Sequence, residues 1–530
     1  MASNDSPSSN PLQPEKPWHR ELTRYHWFVL IVAALGWLFD CLDQQLFLLA
    51  RQPAMRELVP IAQTREEAWT RLQEAAQTKD EQGNLKQGPV NQAAWDKAIV
   101  AVGTSRDKAA PVKPEAEFGK HEWNKVAGTV HPSLLKRTVD KYSAWATSIF
   151  LLGWATGGLF FGVLGDRIGR AKTMMITILV YSLCTGLSAI SVGFADFAFY
   201  RFITGLGVGG EFAVGVALVA EVMPERARPH ALALLQALSA IGNVSAALIS
   251  MGMGGLVERG VIESVWRPMF IIGAVPALLA LVIRAKLKEP EAWQKVSHEG
   301  AVGKKLGSYR ELFRHPTWRK HAFIGLGLAF AGVVGLWGVG FYTMDLVGNV
   351  LTARFTDAGM PAHEVAGKVA HWKGMTSLMI NFGAFAGMLT FGKLAGRWGR
   401  RPIFAVAFTS AALSTAAVFW FLSEFHQIFW MVPIMGFCQL AAFAGYAIYF
   451  PELFPTHLRS TGTSFCYNVG RFVAAIGPAF LGFLVSESVY GHLPGDDPLR
   501  YAGVTMCLVF VIGLLILPFA PETKGKPLPE

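Results

Sequence analysis

Asp40 and Asp43 stand three residues apart inside an apolar stretch at about residues 26–50, and Gln44 and Phe47 continue the same helical stripe. Glu211 follows two glycines in a second apolar stretch, and Arg471 lies well inside a third, one turn after Asn468. A charge held in hydrocarbon costs about 3 kcal/mol or more, so these groups are expected to face a protein interior or a wet cavity rather than lipid. Two neighbouring carboxylates in low dielectric do not both ionise cheaply, and one is expected to keep a proton near neutral pH. That is the chemistry of proton exchange, with Asp40, Asp43 and Glu211 as its candidates. A buried guanidinium needs an anion, either an internal acid such as Asp40 or a carboxylate cargo held by two parallel hydrogen bonds. The spacing leaves open that Asp40 and Asp43 lie instead at the outer end of their helix, in contact with water.

Further polar groups recur at helical spacing. Gln236, Ser239 and Asn243 share one face of a fifth apolar run, Asn381 and Gln439 lie in later ones, and Trp337, Phe341 and Tyr342 offer an aromatic wall. With Arg471, Asn468 and Gln44 they form the candidate binding set, against the reading that such stripes simply pack. Gly205-x-Gly207-x-x-Gly210 has a dinucleotide-binding spacing but sits inside an apolar helix, where glycines permit close packing instead. No nucleophile–base pair, phosphate loop or His/Cys metal spacing is present, so no enzyme, cofactor or metal is expected.

These side chains need a scaffold. Of 530 residues 52% are hydrophobic and only 16% charged, which excludes an ordinary soluble protein. Runs long enough to cross a bilayer lie near 26–50, 142–164, 172–192, 196–220, 229–254 and 265–285. A second set lies near 320–346, 372–395, 401–422, 427–450, 460–485 and 500–519. Backbone groups in hydrocarbon must pair internally, so the expectation is an all-α membrane protein of twelve helices. Gly162-Val-Leu-Gly-Asp-Arg-Ile-Gly-Arg170 recurs later in the chain as Gly392-Lys-Leu-Ala-Gly-Arg-Trp-Gly-Arg400. Glu221, Pro224 and Arg228 recur at nearly the same offset as Glu452, Pro455 and Arg459. Two unrelated motifs sharing an offset imply two pseudo-symmetric six-helix bundles, at 26–285 and 320–519.

A tail (1–25), a basic linker (286–319, with Trp293 and Trp318 as expected interface anchors) and a second tail (520–530) flank the bundles. Residues 51–141 form an insertion between the first two helices, rich in Ala, Gln, Lys and Glu, with helical propensity and i,i+4 charge pairs over 64–79. A solvated appendage outside the membrane, or a lid, are its two readings. The formal charge of +10 concentrates in loops carrying Arg167, Arg170, Lys172, Arg226, Arg228, Lys393, Arg397, Arg400 and Arg401, and in the linker. That asymmetry places both tails in the cytoplasm and argues for a lipid bilayer, not nucleic acid, as the partner of the excess charge. The first run is too long for a cleaved signal and is read as a retained span. All five cysteines fall in apolar runs, so no disulfide framework is indicated.

The segment 162–172 (GVLGDRIGRAK), with Arg201, resembles the loop between spans two and three of the major facilitator superfamily. The resemblance implies that Gly162, Asp166, Arg167, Gly169 and Arg170 gate the halves together with Arg201, Glu221 and Arg228. Arg397, Arg400, Glu452 and Arg459 are implied as second copies. Gly396 stands where the aspartate would recur, so an Asp-dependent latch is implied in the first half only. Glu452-Leu-Phe-Pro455, Arg459, Gly462 and Pro521-Glu-Thr-Lys-Gly525 are similar to the sugar-porter and organic-ion branches. Asp40-Cys-Leu-Asp43, Arg201…Gly209-Gly-Glu211 and Gly470-Arg471…Gly477-Pro478 resemble metabolite and aromatic-acid proton symporters, with Cys41 in place of a glycine.

The expected function is proton-coupled symport of a small organic anion by alternating access, in a monomer of the bacterial inner membrane. A proton-coupled sugar or polyol symporter, and a non-transporting sensor or scaffold, are the competing readings.

Overall fold

A computed structural model of the chain describes residues 17–59, 78–79, 85–86, 132–262, 264–299, 306–360, 362–474, 480, 483–484, 489 and 498–529. Helix α1 (Arg24–Leu58) opens on a reciprocal cap, with Thr23 Oγ1 accepting from the His26 amide at 3.2 Å and His26 Nδ1 accepting from the Thr23 amide at 3.3 Å. It runs past the expected limit near residue 50. Its extension carries Glu57, which accepts from Trp266 Nε1 at 2.7 Å and pairs with Arg267 at 2.6 Å. Helix α2 (Pro132–Ile168) likewise starts earlier than expected, so both edges of the 51–141 insertion belong to long helices. The rest of the insertion lies outside the described residues, apart from a two-stranded antiparallel ribbon of β1 (Thr78–Lys79) and β2 (Leu85–Lys86). The helix expected over 64–79 therefore ends in a strand, and its earlier part lies outside the described residues.

The first half continues with α3 (Arg170–Ser188), α4 (Phe194–Val222) and α5 (Arg228–Glu258). The expected sixth span is broken at Gly273–Pro276 into α6 (Trp266–Ile272) and α7 (Ala277–Lys286). The linker folds as α8 (Glu291–Glu299) and α9 (Tyr309–Arg314). Then come α10 (Pro316–Val334), α11 (Thr343–Asp357), α12 (Ala362–Trp398), α13 (Arg400–Phe421) and α14 (Ile428–Glu452). The chain closes with α15 (Arg459–Ala474), α16 (Pro498–Met506) and α17 (Val509–Ile516).

Ten helices among the described residues are long and apolar enough to cross a membrane. The expected seventh and eleventh spans are not among them. In the seventh, Gly335 begins a π-helical turn through Val339 that interrupts the helix. The eleventh, α15, carries Arg459, Ser460, Thr461, Thr463, Ser464, Asn468 and Arg471 on buried faces, which lowers its hydropathy. Its expected continuation over 475–479 lies outside the described residues.

Close helix approach explains the glycines. A Cβ at Gly153 or Gly157 of α2 would run into the carbonyl oxygens of Phe202 and Leu206 on α4. Their counterparts in the repeat, Gly383 and Gly387 of α12, would strike the carbonyls of Pro433 and Phe437 on α14. The internal repeat thus extends from the loops to helix packing. Gly205 and Gly207 likewise press on the backbones of α2 and α3, as packing glycines do. The halves meet along two symmetry-related pairs, α2 on α15 and α5 on α12. Exposed apolar side chains such as Phe199, Leu278, Leu413 and Leu515, each at least 60% exposed, form the outer face.

Candidate functional site

Three buried charged groups converge where α1, α4 and α15 meet. Asp40 and Glu211 are 0% and 1% exposed, and neither oxygen of either carboxylate accepts a hydrogen bond from the described residues. A Cβ at Gly36, one turn before Asp40, would collide with Glu211 Oε1, so the absence of a side chain there seats the second acid against α1. The two carboxylates interact electrostatically with each other, and Asp40 also with Arg471. Half-buried Gln44, one turn after Asp40, turns its buried Nε2 toward the Asp40 carboxylate without completing a well-formed hydrogen bond.

Arg471 reaches this cluster from the second half, only 6% exposed. Its guanidinium stacks on Trp154 of α2, 3.8 Å from the ring centre, and on Tyr467, at 4.3 Å. One nitrogen donates to Asn468 Oδ1 at 2.8 Å, while Asn468 Nδ2 donates to the Ser464 carbonyl and hydroxyl, both at 3.1 Å. Tyr467 in turn stacks on Phe212 at 4.2 Å. An internal ion pair between Arg471 and Asp40 was one expectation; among the described residues Arg471 has no carboxylate at ion-pair distance. Aromatic faces, which attract a cation without neutralising it, hold the guanidinium instead. Trp154 and Tyr467 escaped sequence reasoning, although Tyr467 could have been flagged by its i–4 spacing from Arg471.

The Asp40–Asp43 stripe splits. A three-residue step turns the helix by about 300°, which leaves neighbouring side chains about 60° apart. Asp40 thus reaches α4 and α15, while Asp43 meets α3 and the start of α4. There Asp43 accepts from Thr185 at 2.6 Å and faces Arg201 at 3.9 Å. Arg201 donates to Ser188, Thr185 and Thr204 at 2.8–3.1 Å and sits 4.7 Å from the Phe270 ring centre. Asp40 interacts electrostatically with both Asp43 and Glu211, so the acid pair anticipated for Asp40 and Asp43 gains a third member. Arg201 lies at the opposite end of α3 from the loop with which the sequence grouped it.

The remaining polar candidates disperse. Asn243 Nδ2 donates to Asn381 Oδ1 at 2.9 Å, bridging the halves at the α5–α12 crossing. Gln439 donates to the Gly335 carbonyl at 3.0 Å and so holds the π-helical turn. Gln236 is buried with its Oε1 unpartnered, Tyr342 is half-buried, and the side chain of Trp337 lies outside the described residues.

At the Arg/Lys-rich end the two halves are tied together. Asp166 accepts from the Ser460 and Thr461 amides at 3.1 and 2.8 Å and from the Thr461 hydroxyl at 2.6 Å, at the start of α15. It also pairs with Arg170 at 3.1 Å. Glu221 accepts from Arg170 at 2.9 Å and, across the interface, from Arg459 at 2.7 Å. Arg170 reaches the Thr456 carbonyl at 2.6 Å, and Gly162 makes room for Ser464. Exposed Arg167 donates to the Leu306 carbonyl at 3.3 Å. Trp293, expected at a lipid interface, is instead buried and donates to the Asp166 carbonyl at 2.7 Å; half-buried Trp318 stacks on His315.

The second half repeats only part of this. Arg400 pairs with Glu452 at 2.6 Å as Arg170 does with Glu221, and Arg228 donates to the Ala220 carbonyl at 2.8 Å as Arg459 does to that of Pro451 at 3.2 Å. Gly169 and Gly399 open α3 and α13 with φ of 110° and 98°, in the left-handed region that favours glycine. Glu289 accepts the Ala171 and Lys172 amides at 3.1 Å, and Glu522 accepts those of Arg400 and Arg401 at 2.9 and 3.0 Å. Burial pushes the Glu522 carboxyl up, but the backbone amides outweigh it and hold it below the usual carboxylate range. Neither capping role was legible in the sequence, although Glu522 lies in the Pro521–Gly525 motif, since each acid acts on a helix far from it in the chain. A Cβ at Gly396, the position of Asp166, would meet the His230 ring at 3.6 Å and nothing nearer among the described residues.

The Major Facilitator Superfamily profile matches residues 126–478 and 362–530. A putative metabolite transport protein of Haemophilus influenzae is 30% identical over 71% of this chain and 86% of its own length. The cis,cis-muconate transport protein of Acinetobacter baylyi is 29% identical over 65% of this chain and 78% of its own. The proton:xylose symporter XylE, bound to 6-bromo-6-deoxy-D-glucose, shares the fold at a TM-score of 0.61 with 14% identity, over 95% of this chain and 98% of that one. These relatives are transporters, not enzymes. With its apolar helices, repeated halves and loop geometry, the chain is a multi-pass membrane transporter and belongs to the Major Facilitator Superfamily.

Proposed function

We propose that the protein is a twelve-span, proton-coupled symporter of a small organic anion, working by alternating access with both tails in the cytoplasm of a bacterial inner membrane. The observation that carries this is the division of charge at the central site. Unpaired buried carboxylates, Asp40 and Glu211, belong to the first half, and an arginine without an ion-pair partner among the described residues, Arg471, belongs to the second. Protonation of the acid pair removes the negative charge that competes with a cargo carboxylate for Arg471, so the loaded carrier reorients without an added buried charge. A relative named for cis,cis-muconate, a dicarboxylate, supports the cargo class. Of the amides a neutral sugar would call for, Asn243 is spent on Asn381 and Gln439 on Gly335, which leaves Gln44 and Gln236.

The test is uptake in proteoliposomes under an imposed pH gradient, with a panel of carboxylates and sugars. Carboxylate uptake driven by inward protons is expected, abolished in Arg471→Gln and uncoupled from the gradient in Asp40→Asn. Sugar uptake, or carboxylate uptake unaltered by Arg471→Gln, would overturn the reading.

A further inference from the structure

A cavity of about 890 Å³ opens at the Arg/Lys-rich end, at the α5–α12 crossing, far from the central site. Arg226, Arg228, Lys393, Arg397, Lys524 and Lys526 line it. The acids on its wall are Glu225 and Glu452, and Glu452 is already taken by Arg400 and by the Thr523 hydroxyl at 2.6 Å. Arg228 is only 9% exposed, and beyond the bond from its Nε to Ala220 its two terminal nitrogens make no hydrogen bond among the described residues. Arg228 interacts with Glu452 and Glu225, and Arg226 pairs with Glu21 at 3.1 Å, but Lys393, Arg397, Lys524 and Lys526 leave positive charge in excess around the cavity.

Symmetry says what is missing. At the other crossing, Asp166 places a carboxylate between α2 and α15 and neutralises Arg170. By the repeat its counterpart is Gly396, which lines this cavity; a Cβ there would meet nothing closer than His230 Cε1 at 3.6 Å. The site keeps the cations of a latch and the acid Glu452, and lacks the second carboxylate.

We propose that this cavity binds a small oxyanion, a phosphate group free or carried on a phospholipid head, whose oxygens stand in for the carboxylate absent at Gly396. Bound there, the phosphate bridges Arg228 of the first half and Lys393 and Arg397 of the second. It closes the α5–α12 crossing as Asp166 closes the other. One crossing is thus built in, and its twin depends on a ligand. Charge on so exposed a rim is screened by salt, so binding weakens as ionic strength rises.

The experiment is calorimetric titration of the full-length, delipidated protein with inorganic phosphate and with glycerol phosphate. Parallel thermal unfolding compares nanodiscs of neutral lipid with nanodiscs containing phosphatidylglycerol. Saturable binding is expected in the wild type and at least a tenfold loss in Gly396→Asp, which supplies the carboxylate internally. The backbone there is ordinary helix with room for the side chain, so this variant is expected to fold and to unfold at a higher temperature than the wild type. Arg397→Gln tests the cations without adding an acid, and is expected to weaken binding several-fold. Binding of the soluble phosphates assigns the site to free phosphate; stabilisation by phosphatidylglycerol alone assigns it to lipid. No response to any probe, or an equal response in Gly396→Asp, overturns the proposal. So does displacement of phosphate by cis,cis-muconate as the carboxylate probe, which would place the cavity on the transport path. None of these readings depends on uptake, so failure of the central mechanism leaves the test intact.

Discussion

Asp166→Ala isolates the latch between α2 and α15. It deletes three hydrogen bonds from Ser460 and Thr461 to a carboxylate, and one ion pair to Arg170. Bonds to a charged acceptor contribute about 1.5–3 kcal/mol each, and orphaned amides add a similar penalty while the interface stays shut. Arg170 keeps Glu221 and two backbone carbonyls, so the guanidinium itself is not stranded. Allowing for non-additivity, closure of this end should weaken by about 2–4 kcal/mol, a shift of about 30- to 700-fold in the closed-to-open ratio. Because the loss falls on the closed state alone, the protein should open rather than unfold. Spin labels at Lys172→Cys on α3 and Trp398→Cys on α12, both exposed, report the separation of the halves by double electron–electron resonance. A new long-distance population in Asp166→Ala is the expected result. An unaltered distance distribution with unchanged thermal stability would refute the assignment of the latch.

Other perturbations probe separate parts of the frame. Gly153→Val or Gly383→Val should abolish stable expression, since each side chain would enter the backbone of the facing helix; normal size-exclusion behaviour would count against that packing. Trp154→Leu removes one face of the aromatic box and should cost about 1–2 kcal/mol in the stability of the site, read as a several-fold change in the half-saturation for carboxylate uptake with expression unchanged. Glu522→Gln should destabilise the start of α13 by about 1 kcal/mol, seen in thermal unfolding. Since the folded carboxyl sits below its ordinary value, that contribution is present above the unfolded pKa and fades as pH falls through the folded one, so wild type and variant should converge only in acid.

The sequence made the helices, the repeat and the latch residues legible because those features are local or periodic: apolar length, a shared offset between motifs, a charged loop. Interruptions were harder. The turn at Gly335–Val339 and the break at Gly273–Pro276 sit inside continuous apolar runs, whose hydropathy does not report backbone hydrogen bonding. Partners were hardest. Asp40 and Asp43 look alike in sequence and still interact with each other, yet their different directions around the helix axis bring Glu211 to the first and Arg201 to the second. Glu289 and Glu522 cap helices far from them in the chain, and only the folded protein brings those ends together.

The same geometry bears on why the acids and the cation sit on different halves. Were Arg471 locked to an acid on its own bundle, rocking the halves would leave that pair intact and the cycle would sense neither protons nor cargo. With Asp40 and Glu211 on α1 and α4 and Arg471 on α15, any relative motion changes the distance between unlike charges in low dielectric. In the proposed cycle the ionised, empty site therefore resists reorientation. One proton shared by the two acids leaves a single negative charge that balances Arg471. A second proton without an anion, or an anion without that proton, leaves a net charge, so proton and cargo must enter together for the site to stay neutral. The Trp154–Tyr467 box fits this role, because aromatic faces hold a cation in place without cancelling its charge, leaving it available to each partner in turn. A second internal carboxylate beside Arg471 would silence the switch: Asn468→Asp should leave the protein folded and still abolish net symport, and retention of proton-coupled uptake in that variant would sink the argument.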